Sequence, residues 1–168
     1  MTPYVPRTID RLLDEVGDLP AICLDGARGV GKTSTARRRA ARSLRLDQPA
    51  DLARFEADPK AAIAPPHPVL LDEWQRAPPS WDVVRRAVDD GAAPGAFLLT
   101  GSGAPQRPPA HTGAGRIVRL LMRPLGLHER GLQEPSVSVA DLLSGRRPPL
   151  AGESSVQLEQ YVAEIVAS

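Results

Sequence analysis

Gly26-Ala27-Arg28-Gly29-Val30-Gly31-Lys32-Thr33 is a complete G-x-x-x-x-G-K-[ST] loop, and no other stretch constrains the fold as tightly. Such a loop works only between a strand and a helix. The apolar run Ala21-Ile22-Cys23-Leu24-Asp25 before it suits a buried strand, and helix-compatible sequence begins at Lys32. Gly26, Gly29 and Gly31 let backbone N–H groups curl around phosphate oxygens, and the helix start adds its positive dipole end. Lys32 would reach the β- and γ-phosphates and the Thr33 hydroxyl would ligate Mg²⁺. The candidate ATP-binding set is therefore Gly26, Ala27, Arg28, Gly29, Val30, Gly31, Lys32, Thr33 and Ser34. A chance glycine-rich turn is the competing reading.

Composition adds weight at one position. The chain has two lysines, Lys32 and Lys60, against nineteen arginines, so a cation drawn at random would be arginine. A compact ammonium fits a phosphate cradle where a planar guanidinium does not. With a net charge of +1, there is no bulk electrostatic case for nucleic acid or a membrane. The single cysteine, Cys23, falls inside the first strand and reads as an inert buried thiol in a reducing compartment. No apolar run approaches membrane-spanning length and the N-terminus lacks an apolar signal core, so the expected location is cytoplasmic.

Hydrophobic spacing sets out the remaining elements. Ile9, Leu12, Leu13 and Val16 predict an amphipathic helix over 8–16. A helix over about 33–43 follows the loop, with a weak second strand at 44–47. Residues 49–63 read as helix interrupted by Pro59. Val69-Leu70-Leu71-Asp72-Glu73 is the third strand, and Trp81, Val84, Arg85 and Val88 continue as helix. Ala96-Phe97-Leu98-Leu99-Thr100 is the fourth strand, leading into a Pro/Gly-rich loop through Gly115. Residues 117–122 form the fifth strand, and 158–166 carry a last helical stripe. Buried strands alternating with helices imply a parallel, doubly wound sheet. The expected division is an ATPase core over 1–124 and a short C-terminal segment over 125–168.

The third strand ends in two acids, the Walker B pattern. A strand buried on both faces delays its first polar residue until the carboxyl edge, where ligands bind. Asp72 would hold Mg²⁺, and Glu73 would polarise the water that attacks the γ-phosphate. Thr100 or Ser102, at the end of the fourth strand, would sense the γ-phosphate, with an ordinary turn as competitor. Arg116, after Gly113-Ala114-Gly115, is a candidate for stabilising transition-state charge, including across a subunit boundary; a surface arginine is the alternative. Arg37, Arg38, Arg39 and Arg42 form a basic cluster on the helix after the loop, read as a solvated face rather than a nucleic-acid site. His67, His111 and His128 lack metal-ligand spacing. Trp74 and Trp81 read as packing for the helix after the acids.

Tyr4-Val5-Pro6-Arg7, the loop, Leu46-Asp47, Asp72-Glu73-Trp74-Gln75, Leu99-Thr100-Gly101-Ser102, Gly113-Ala114-Gly115-Arg116 and Met122-Arg123-Pro124-Leu125 stand in one order along the chain. In that order they resemble the prokaryotic AAA-type ATPases whose N-terminal ATP-binding domain precedes a C-terminal domain with a nuclease-like fold. The chain departs from that family at Ser34-Thr35, where an apolar residue is common, and at Pro124-Leu125-Gly126, where Pro-x-Ser is common. Relatives continue where this chain stops at Ser168, so it reads as a truncated gene or an isolated N-terminal piece. The expected fold is an α/β P-loop NTPase with a five-stranded parallel sheet, order 5-1-4-3-2, flanked by helices. Mg²⁺-dependent ATP hydrolysis, weak in isolation, is the expected activity, with self-association or a C-terminal partner domain. A small P-loop kinase and a non-catalytic ATP-binding module remain as alternatives.

Overall fold

A computed structural model describes residues 4–103, 112–132, 137–147 and 156–167. Along the chain run α1 (Thr8–Glu15), β1 (Ala21–Asp25), α2 (Lys32–Arg37), β2 (Arg42–Arg45), α3 (Pro49–Ala57), α4 (Pro59–Ala62) and β3 (Val69–Asp72). A short 3₁₀ turn (Trp74–Arg76), α5 (Pro79–Asp89), β4 (Phe97–Gly101), β5 (Val118–Leu121), α6 (Val139–Leu143) and α7 (Leu158–Ala167) follow. The strands form one five-stranded sheet in the order β2-β3-β4-β1-β5. Every neighbouring pair is parallel. This is the expected order read from the opposite edge.

The three central strands, β1, β3 and β4, are buried on both faces, which is why they are unbroken apolar runs. On one face Cys23, Leu71 and Leu99 pack with Phe55, Trp74, Trp81 and Val84. On the other, Leu24, Leu70 and Leu98 pack with Ile9, Leu13, Val30 and Ala36. Trp74 and Trp81 are buried with ring centroids 4.7 Å apart, the packing role expected of them. Burial, reinforced by the nearby Asp25 charge, raises the pKa of the Cys23 thiol far above its ordinary value. The thiol is therefore protonated and inert.

Three expectations are corrected. The helix after the loop ends at Arg37 rather than near residue 43, and β2 begins at Arg42 rather than Leu44. The cause is tertiary: Arg39 bonds Asp10 and Asp14, each at 2.7 Å, and the Arg42 guanidinium donates to the carbonyls of Ala62 and Ala64, each at 2.7 Å. The four arginines thus do not share a solvated helix face. The interruption expected at Pro59 is present: the helical stretch over 49–63 is two helices, with Pro59 at the start of the second and Asp58 accepting from the Ala61 N–H at 3.0 Å. Residues 104–111 of the expected Pro/Gly-rich loop, His111 among them, lie outside the described residues.

Chain contacts cluster into two units, Ile9–Pro124 and a second made of Met1–Thr8 with Leu125–Ser168. Within the second, Glu129 accepts from the backbone N–H of Thr8 at 2.6 Å and of Gly126 at 2.9 Å, and faces Arg7 at 3.3 Å. Burial alone would raise its pKa, but these donors and the Arg7 charge outweigh it and hold the carboxyl below the usual range. A lowered pKa means stabilisation present at neutral pH and lost as pH falls through the folded value. Amide protection at Thr8 and Gly126 is expected to fall on acidification in the wild type. In Glu129→Gln it should be low at neutral pH and insensitive to acid; hydrogen exchange across the pH range checks both.

Candidate functional site

Strand polarity assembles the site. β1, β3 and β4 are parallel neighbours, so their carboxyl ends meet: Asp25 pairs with Gly101, and Asp72 pairs with Thr100. The loop leaves β1 at that edge and enters α2. Gly31 sits at φ 98, in left-handed space that a side chain would strain. Gly26 is required for a different reason, since a Cβ there would fall 2.2 Å from the Met122 carbonyl oxygen just past β5. Neither backbone can yield, because the Met122 N–H also donates to the Asp25 carbonyl at 2.7 Å. Gly26→Ala is expected to cost about 2 kcal/mol or more of stability and to weaken nucleotide binding. Unchanged denaturation midpoint and ATP affinity would refute this.

Lys32 is only 5% exposed, yet it carries an ammonium. Its Nζ donates to the carbonyls of Gly26 at 2.9 Å and Ala27 at 2.7 Å, folding the loop around its own lysine. Burial lowers its pKa, while the carboxylates of Glu73, Asp72 and Asp25 pull the other way. Those three acids keep a buried cation available for an anionic ligand.

Five oxygen-bearing side chains converge at this edge, one of them, Thr33, from the loop itself. Thr33 Oγ1 donates to Asp72 Oδ1 at 2.7 Å, and Thr100 Oγ1 donates to the same oxygen. The Glu73 N–H donates to Thr100 Oγ1 at 3.3 Å. Ser102 Oγ donates to Glu73 Oε2 at 2.9 Å. Of the expected polar pair, Thr100 therefore faces the Asp72 carboxylate and Ser102 faces Glu73. Hydroxyl and carboxylate oxygens are the hard donors that Mg²⁺ takes, and Thr33 with Asp72 fits a cation completed by phosphate and water oxygens. Among the described residues, no cluster of three or more His, Cys, Asp or Glu offers an alternative metal site.

Arg116 stands elsewhere. It precedes β5, whose first residue, Val118, pairs with Ile22 near the start of β1, and it bonds Asp89 at the end of α5 at 2.7 Å. That is the amino edge of the sheet, opposite the loop. The arginine that sequence reasoning missed is Arg119. Its Nε lies 2.6 Å from Asp25 Oδ2, immediately before the loop, and its guanidinium carbon lies 5.7 Å from the centre of the Trp81 ring. Nothing in the residue pattern singles it out, because only the pairing of β5 with β1 brings it to Asp25. A cavity of about 610 Å³ also opens at the amino edge, lined by Ile63, His67, Val83, Ala87 and Phe97 among others; it contains none of the expected site residues.

A family described as an AAA domain matches residues 18–130, which span the sheet and the whole loop. No curated protein matches the chain. No helix among the described residues is long and apolar enough to cross a membrane.

Proposed function

We propose that this chain, which belongs to the AAA domain family, binds ATP with Mg²⁺ at residues 26–34 and hydrolyses it with Glu73 as the base. The family supports nucleotide binding of the ATPase type. The observation that carries the hydrolytic reading is the convergence of Thr33, Asp72 and Thr100 beside Lys32, with Glu73 one residue beyond Asp72.

In this reading the loop N–H groups and Lys32 bind the phosphates and orient the γ-phosphate. Thr33 and Asp72 hold Mg²⁺, which supplies charge neutralisation on the phosphate oxygens. Glu73 accepts a proton from water as the water oxygen bonds to γ-phosphorus. The bond from γ-phosphorus to the bridging oxygen breaks, and ADP and phosphate leave. Thr100 holds Asp72 by the same oxygen that Thr33 bonds. Because Arg116 lies at the amino edge, a nucleotide that it reaches belongs to a second copy of the chain. Exposed Leu158, Val162 and Val166 on α7 support an interaction surface for self-association or for a further domain. A buried reduced cysteine is compatible with a cytoplasmic location.

Phosphate release from ATP, assayed with and without candidate phosphoryl acceptors and with and without EDTA, tests the proposal. Slow Mg²⁺-dependent hydrolysis without acceptor is the expected result. Release of phosphate equivalents only to an acceptor would identify a kinase. Binding without turnover would identify a nucleotide-binding module. Sedimentation at increasing concentration is expected to show association; a monodisperse monomer at all concentrations would refute self-association.

A further inference from the structure

Glu73 is the only non-glycine residue with positive φ among those described, at φ 56. Left-handed space is unfavourable for a glutamate and persists where surrounding bonds over-determine it. Here the chain turns directly from β3 into the 3₁₀ turn, which carries Gln75 back beside the Glu73 side chain. Gln75 Nε2 donates to Glu73 Oε2, and it also lies 3.5 Å from Ser102 Oγ. Ser102 donates to that same Oε2 at 2.9 Å. Both side-chain donors thus fall on one carboxylate oxygen, and among the described residues none donates to Oε1.

The orientation of the Gln75 amide is set by chemistry. Turned over, its carbonyl would face a carboxylate oxygen, lone pair against lone pair. In the orientation adopted, Gln75 Oε1 is buried without a hydrogen-bond partner among the described residues. A buried carbonyl left unsatisfied is destabilising, so packing alone does not account for an amide at this position. What the amide contributes is its N–H donation to Glu73.

We propose that Gln75 is a positioning residue for hydrolysis: together with Ser102 it holds Glu73 by Oε2 and leaves Oε1 to take the proton from the attacking water. The proposal rests on the hydrolytic reading of Glu73. Gln75 itself touches neither nucleotide nor water, and its effect is on the geometry of the base.

Steady-state ATP hydrolysis and equilibrium binding of a fluorescent ATP analogue, measured on the full chain, test this. Gln75→Leu keeps the size and loses the donor. It is expected to lower kcat by about 10- to 100-fold while KM and nucleotide affinity stay near wild type. Ser102→Ala should do the same and Ser102→Thr should restore turnover. In a Glu73→Gln background, Gln75→Leu should add no further loss, because residues that act as one unit are not additive. Wild-type kcat in Gln75→Leu, or equal losses in both backgrounds, would overturn the positioning role while a damaging Glu73→Gln left the hydrolytic reading intact. Wild-type turnover in Glu73→Gln itself would overturn that reading, and this proposal with it. Retained analogue binding shows that the variants fold.

Discussion

Lys32→Ala is expected to abolish measurable binding of Mg-ATP, with affinity falling by at least about 100-fold, roughly 2.7 kcal/mol. Two losses combine. The ammonium has three donors, two of which hold the Gly26 and Ala27 carbonyls, so its removal unties the loop from within. The positive charge facing the phosphates goes at the same time, while the negative charges of Asp25, Asp72 and Glu73 around it remain. An anionic ligand then meets an anionic site. Lys32→Arg should also bind poorly, since a planar fork does not fit where a point charge sits against two carbonyls. Isothermal titration calorimetry checks both variants; unchanged ATP affinity in Lys32→Ala rules out the loop as the nucleotide site.

Glu73→Gln should separate binding from turnover. The substitution keeps the shape, and the Ser102 hydroxyl can still donate to the new amide oxygen. It removes the proton acceptor, so ATP should bind with near wild-type affinity while turnover falls about 100-fold or more, the scale of losing a general base. Single-turnover phosphate release reads this directly. Equal rates in the two proteins would show that the base is another residue. The contrast with Lys32→Ala matters, because the side chains lie in one site yet should fail in different ways.

Elements buried on both faces were the most legible in the sequence. Val69, Leu70 and Leu71 are wholly buried, and such a run has few readings besides an interior parallel strand. The edge strand β2 was harder, since Arg42 and Ser43 look like the end of a helix. What places them in the sheet is pairing with Val69 and Leu70, a partner more than twenty residues away. Likewise Arg37, Arg38 and Arg39 look like one charged face until Asp10 and Asp14, on a helix before the loop, engage Arg39. At the site, Lys32, Thr33, Asp72 and Glu73 were legible because loop chemistry and strand ends fix them locally. Gln75 and Arg119 were not. Their importance comes from the left-handed turn at Glu73 and from the pairing of β5 with β1, neither of which leaves a mark in residue type.

The placement of β4 between β1 and β3 carries a consequence for synthesis on the ribosome. Once residues 21–72 have emerged, the loop, Lys32 and Asp72 all exist, but β1 and β3 are not neighbours and have no shared strand to align them. Only when Phe97–Gly101 follows does a single ladder bring both carboxyl ends together. Closing that gap requires contacts across some seventy-five residues, from Ala21 to Phe97, and such long-range closure is slow. A nascent chain released before residue 101 would gain no protection from ATP against proteolysis, whereas one extended through β5 would. Arrested chains of graded length, probed with protease in the presence and absence of ATP, should therefore show protection beginning at a step rather than growing with length.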